Sequence, residues 1–112
     1  MIISKVHEAQ KKETPHGVDV RPLYNKDSAQ AVHIAFEPGE SLKPHITPVD
    51  VFFYVLEGTA DIMIGDETLS VEADSLVESP KDIPHCIYNN SDKKLRVLVV
   101  KAPKPVKKTI VL

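Results

Sequence analysis

The sequence predicts an all-β domain, a sandwich or barrel of short antiparallel strands. Three observations lead there. Apolar residues recur mostly at every second position in short runs. The runs are separated by turn signals: Pro-Gly, Glu-Gly, Gly-Asp, Ser-Pro and Asn-Asn-Ser-Asp. Helical periodicity is scarce.

Taken in order, SKVHEAQKKE near the start is the one segment with helical character. Ser4 would cap a short turn there, although its first residues equally suit a strand. QAVHIAFEPG is the first clear strand, with Val32, Ile34 and Phe36 on one face, His33 and Ala35 on the other, and the Pro38-Gly39 turn at its end. VFFYVLEG, residues 51–58, is too continuously apolar to have a wet face. TADIMIGDETLSV reads as a hairpin: Ala60, Ile62 and Ile64 lead into Gly65-Asp66-Glu67, and Leu69 and Val71 return. SLVESP, HCIYNN and LRVLVVKA complete the series, the last with Leu95, Val97 and Val99 alternating against Arg96, Leu98 and Val100.

With 112 residues the chain can bury one modest core, so a single domain spanning 1–112 is expected, its barrel core at about 30–101. No basic stretch followed by an apolar run of signal-peptide length opens the sequence, and no apolar segment approaches the roughly 20 residues of a membrane span. The expectation is a cytoplasmic protein with no membrane partner. Cys86 is the only cysteine, so no internal disulfide forms, which suits a reducing compartment. The formal charge of −2 hides an asymmetry: residues 37–82 hold eleven acids against two bases, a net −9, while the rest, with twelve bases and five acids, nets +7. A pI near 6.2 and that acidic middle argue against nucleic acid as a partner. The basic tail KAPKPVKKTIVL reads instead as a solvated terminus, or as a strand pairing with its own fold or a second copy.

Two stretches each deliver a histidine from a proline-marked turn onto an alternating strand. The first runs from Pro38-Gly39 through His45 and Thr47 to Gly58; the second contains Pro80, Pro84-His85 and Asn89. Their spacings resemble the cupin superfamily. Gly39, His45 and Gly58 fall on fixed positions of the pattern G-x5-H-x-H-x3,4-E-x6-G. Pro80, His85 and Asn89 fall on those of G-x5-P-x-G-x2-H-x3-N, with Asp74 and Asp82 where glycines are commoner. The resemblance implies a double-stranded β-helix, a jelly-roll barrel of two antiparallel sheets. It also implies a divalent metal (zinc, iron, manganese or nickel) held by two histidines and a glutamate of the first motif and the histidine of the second. Here His45 and His85 are present, but Thr47 and Val51 occupy the other two places.

Divalent sites generally need three protein ligands, so two imidazoles and a neutral hydroxyl hold such a cation poorly. Asp50 is the nearest replacement carboxylate. Strand parity turns it outward if Val51, Phe53 and Val55 point in, unless a bulge at the Thr47-Pro48 turn re-aims it. The expected site is a pocket at the barrel mouth holding His45, Thr47 and His85, with Val51 and an inward Phe53 beside them. Two functions follow. One is a small-molecule-binding protein that takes a polar or anionic metabolite. The other is a metal-dependent enzyme of oxygenase or isomerase type using His45, His85 and Asp50. His33 reads as a surface or rim residue, and His7 and His16 as solvated. Cys86 reads as a small apolar filler on the face opposite His85. The run VFFYVL and the strand-like ends MIISKV and TIVL suggest a homodimer, paired by an outer sheet face or by exchanged terminal strands.

Overall fold

Ten strands form two five-stranded sheets in the computed structural model, which describes residues 1–112. They are β1 (Asp19–Lys26), β2 (Ala29–Phe36), β3 (His45–Ile46), β4 (Val51–Glu57), β5 (Thr59–Ile64), β6 (Glu67–Glu72), β7 (Ser75–Ser79), β8 (His85–Tyr88), β9 (Leu95–Lys101) and β10 (Ile110–Val111). One sheet has the order β1-β2-β9-β4-β7, the other β10-β3-β8-β5-β6. Every pairing is antiparallel. From β2 onward the chain changes sheet at every connection except the β5–β6 hairpin. This is the jelly-roll arrangement of two facing antiparallel sheets.

Alternation places the core. Ile34 and Phe36 of β2, Val51, Phe53 and Val55 of β4, and Leu95, Val97 and Val99 of β9 are buried on the inner face of the first sheet. Ala60, Ile62 and Ile87 meet them from the second. Phe52, Tyr54 and Leu56, on the other face of β4, are only half-buried. The predicted hairpin forms with a two-residue loop, Gly65-Asp66, because Ile64 pairs directly with Glu67.

Two regions depart from the sequence reading. β1 has no counterpart in it, since Pro22 interrupts the run; the strand survives because it lies at a sheet edge and takes up the irregularity as a register shift between Pro22 and Tyr24. The N-terminal segment contains only a 3₁₀ turn, Val6–Glu8, entered at Lys5 without a side-chain cap. Ser4 does not cap it. The Arg21 guanidinium of β1 instead donates to the carbonyls of Val6 and Ala9, both at 3.2 Å. MIISKV forms no strand, and Ile2 and Ile3 stand 91% and 72% exposed. The C-terminal strand β10 pairs with β3 of its own chain, Val111 opposite His45. No helix is long and apolar enough to cross a membrane.

The turns use backbone that most residues avoid. Gly39 and Gly58 share φ +85°, and Asp74 and Asp82 take φ +66° and +64° at the two places where glycine is commoner. Aspartate tolerates the left-handed region better than most residues, so both turns survive the exchange.

The two glycines separate strain from contact. A Cβ on Gly58 would lie 2.5 Å from the Lys94 carbonyl oxygen, whereas one on Gly39 meets nothing within 4 Å. Gly39→Ala should cost about 1–2 kcal/mol in urea unfolding, the left-handed penalty alone. Gly58→Ala should cost clearly more, because backbone of the Lys94–Leu95 segment must also move. Equal losses would show that the close approach at Gly58 does not limit stability.

Candidate functional site

The two motifs are joined along a common line. Gly39 N donates to the Asn89 carbonyl and Asn89 N to the Glu40 carbonyl, each at 2.9 Å. Leu42 N donates to the Ile87 carbonyl at 2.9 Å, Ser41 bridges Tyr88, and His45 pairs with His85. Residues opposite one another on neighbouring strands face the same way, so both imidazoles enter the barrel. Asn89 anchors the far end: its Nδ2 donates to the carbonyls of Phe36 and Lys93, and its Oδ1 accepts from Ser91.

His45, Thr47 and His85 are all buried, with Val51 and Phe53 beside them on the inner face. The Phe53 ring stands edge-on to His85 with centroids 5.2 Å apart. The hydrogen bonds fix the tautomers. The Lys43 carbonyl lies 2.7 Å from His45 Nδ1 and can only accept, so the proton sits on Nδ1 and Nε2 carries a lone pair. His85 Nε2, 3.0 Å from that lone pair, is therefore the donor. Thr47 Oγ1, at 3.2 Å, shares the same N–H. His85 Nδ1 is left as an acceptor and takes the Ser79 hydroxyl proton at 2.6 Å. The result is a directed chain, Ser79 to His85 to His45 to the Lys43 carbonyl, in which each imidazole is neutral.

Burial keeps it so. Desolvation, followed by the repulsion a protonated His45 would exert and by the Lys101 charge, pushes His85 down to about 3. His45 is also lowered, chiefly by burial, against the opposing pull of the Lys43 carbonyl.

Three further residues reach this site that the sequence reading left out of it. Ser79 pairs with Val51 and is buried, a placement that needs the β4–β7 register. His16, expected to be solvated, is half-buried: its Nδ1 accepts from Lys43 N at 2.8 Å and its ring lies 5.2 Å from that of His45. Burial lowers it first, then the repulsion a protonated His45 would exert and the Lys43 and Lys101 charges. No local pattern signals that contact, which joins two turns far apart in the chain. Lys101 does have a signal, since it continues the inward series Leu95, Val97 and Val99. It pairs with Val51, and its charge depresses all three histidines.

Asp50 is not brought to the pair. It is exposed, and its Oδ1 accepts from Lys81 N at 2.9 Å, steadying the loop before β8. No bulge re-aims it, because Val51 takes the inward place. His33 is not on the surface but buried on the outer face of the first sheet, where its Nε2 accepts from Arg96 at 3.0 Å and its Nδ1 has no partner. Cys86 is buried with its Sγ 3.9 Å from Met63 Sδ. His7 lies apart from the site, its Nε2 3.7 Å from the Glu8 carboxylate.

These donors do not fit a divalent cation. The two Nε2 atoms bond to each other, Thr47 adds a neutral hydroxyl, and no three His, Cys, Asp or Glu side chains converge. The Lys101 charge opposes a second cation. Two cavities lie elsewhere. One of about 880 Å³ is formed by the N-terminal segment and Pro22. The other, of about 470 Å³, opens beside β4 and β7, touching Val51 and Ser79 but no histidine.

Comparison with known proteins agrees with this architecture. The family profile described as "Cupin domain" matches residues 32–101. No curated protein matches. Among solved structures, TT1209 from Thermus thermophilus superposes with a TM-score of 0.81 at 25% identity, over 94% of this chain and 100% of that one. The polyketide cyclase RemF from Streptomyces resistomycificus gives 0.85 at 20% identity, over 100% and 85%. The DMSP lyase DddQ from Ruegeria pomeroyi DSS-3 gives 0.81 at 17%, over 94% and 61%.

Neutral buried histidines make stability depend on pH in a definite direction. Above about pH 6.5 neither folded nor unfolded chain protonates them; below it the unfolded chain gains protons that folded His85 refuses until about pH 3. Urea-derived stability should therefore be flat from pH 8 to 6.5 and fall below that, approaching ~1.4 kcal/mol per pH unit for each histidine held neutral. His85→Gln should flatten the slope. An unchanged slope would mean that His85 takes its proton while folded.

Proposed function

The chain belongs to the cupin domain family, and from that premise we infer that its barrel mouth binds a small polar or anionic molecule between His45, Thr47 and His85. One observation carries this reading: the two imidazoles are spent on each other and on Thr47, not arranged with a carboxylate around a cation. Neutral imidazoles donate and accept hydrogen bonds and so recognise polar groups. Phe53 and Val51 supply an apolar wall. The similar folds include a cyclase and a lyase, and such diversity on one barrel lends no weight to a particular reaction.

Two measurements test this. In histidine-selective NMR, a panel of small polar metabolites should shift the His45 and His85 ring signals, and the response should be lost in His45→Ala and His85→Ala variants that still fold. Protein purified without a histidine tag should carry well under one equivalent of zinc, iron, manganese or nickel. Stoichiometric metal that disappears in both variants would favour the metal-dependent enzyme instead.

For assembly we infer a homodimer through the outer face of the first sheet, where Phe52, Tyr54, Leu56, Leu98 and Val100 share a side with Leu76, 52% exposed. Each copy offers both an acidic middle and basic termini, which suits a self-complementary two-fold contact. Light scattering should give about twice the 12.4 kDa chain mass, and Leu76→Glu should return it to the monomer value. A monomer in the unaltered protein sinks the idea.

A further inference from the structure

The first sheet closes the barrel mouth with one cross-strand row, Gln30, Lys101, Val51 and Ser79. That row holds one charge and no counter-charge. Lys101 faces inward because it lies opposite buried Val51 and two places beyond buried Val99. The ion pairs of the chain are His7–Glu8, Lys11–Asp19, Arg21–Asp19 and Arg96–Glu57, and Lys101 takes part in none. Burial and the Lys12 charge both lower its affinity for its own proton. A partly buried ammonium without a carboxylate is costly, and a bound anion removes that cost.

Neutral donors accompany it. His16 Nδ1 is occupied as an acceptor from Lys43, so its Nε2 carries a proton, and Thr47 brings a hydroxyl. His45, Thr47 and His85 are buried, whereas His16 and Lys101 are only half-buried, so a ligand meets these two first.

We propose that Lys101 anchors the carboxylate of a small carboxylate-bearing ligand, whose remaining polar groups meet His16, Thr47 and the His45–His85 pair. The ligand thereby supplies the carboxylate that Val51 does not. A monoanion matches the site better than a dianion such as phosphate, since the surrounding imidazoles are neutral and leave a single positive charge. The inference rests on the reading of the mouth as a small-molecule site.

The test compares acetate with its neutral counterpart acetamide by titration at neutral pH, following the His16, His45 and His85 ring signals. Acetate should bind about tenfold more tightly or better, and Lys101→Met, an unbranched uncharged side chain of similar bulk, should erase that preference. Val51→Glu, if it folds by circular dichroism, should do the same by giving Lys101 an internal partner; if it does not fold, Lys101→Met decides alone. Equal binding of the two probes, or a preference that survives in Lys101→Met, overturns the anchor while leaving the small-molecule reading standing. Ring signals that respond to neither probe remove both.

Discussion

The site depends on the pairing of residues 39–45 with 85–89. Backbone hydrogen bonds at Gly39, Glu40, Leu42, Ile87 and Asn89 hold the two motifs in one register, and the His45–His85 pair is its last step. A slip of one residue along that line would turn one imidazole out of the barrel, because strand side chains alternate with period two. Asn89 fixes the line at its outer end by linking Phe36, Lys93 and Ser91. β10 covers its other edge, with Val111 paired to His45. The positions named by the two motifs thus serve one geometric purpose before any chemistry.

Once both histidines are inside, burial decides their state. Each loses more by desolvation than its partners return, so both remain neutral, and the Ser79-to-Lys43 chain of hydrogen bonds assigns every ring proton. The mouth is then a set of oriented neutral donors and acceptors around one ammonium. On the proposed reading, a cation has little to gain there and an anion has a partner. The replacement of a motif carboxylate by Val51 matters for that reason: it removes a ligand and leaves Lys101 without a neighbouring negative charge.

The loop before β8 shows how residues outside the cluster support it. Asp50 receives Lys81 N, and the Thr47 carbonyl receives Asp82 N at 3.0 Å. Asp82 makes that approach from a left-handed conformation. The carboxylate nearest the missing ligand is thereby committed to holding the loop that carries Pro84 and His85. Asp50 contributes to the site's shape while its charge faces solvent.

By itself the sequence determined the strand faces, the turns and the cupin pattern, because alternation and turn residues are local properties. Val32, Ile34 and Phe36, or Val51, Phe53 and Val55, announce their inner face from spacing alone. His45, Thr47, Val51, Phe53 and His85 were legible as a group for the same reason, through motif spacing and parity. β1 was not legible, because Pro22 argues against a strand until one knows that the strand lies at an edge. Only the tertiary structure decided what surrounds the histidines. His16 arrives from a turn, Ser79 through strand register, and Lys101 through its place beside Val51. The burial of His33 likewise depends on how neighbouring strands and side chains cover it. Such contacts join residues far apart in the chain, and no short-range period encodes them.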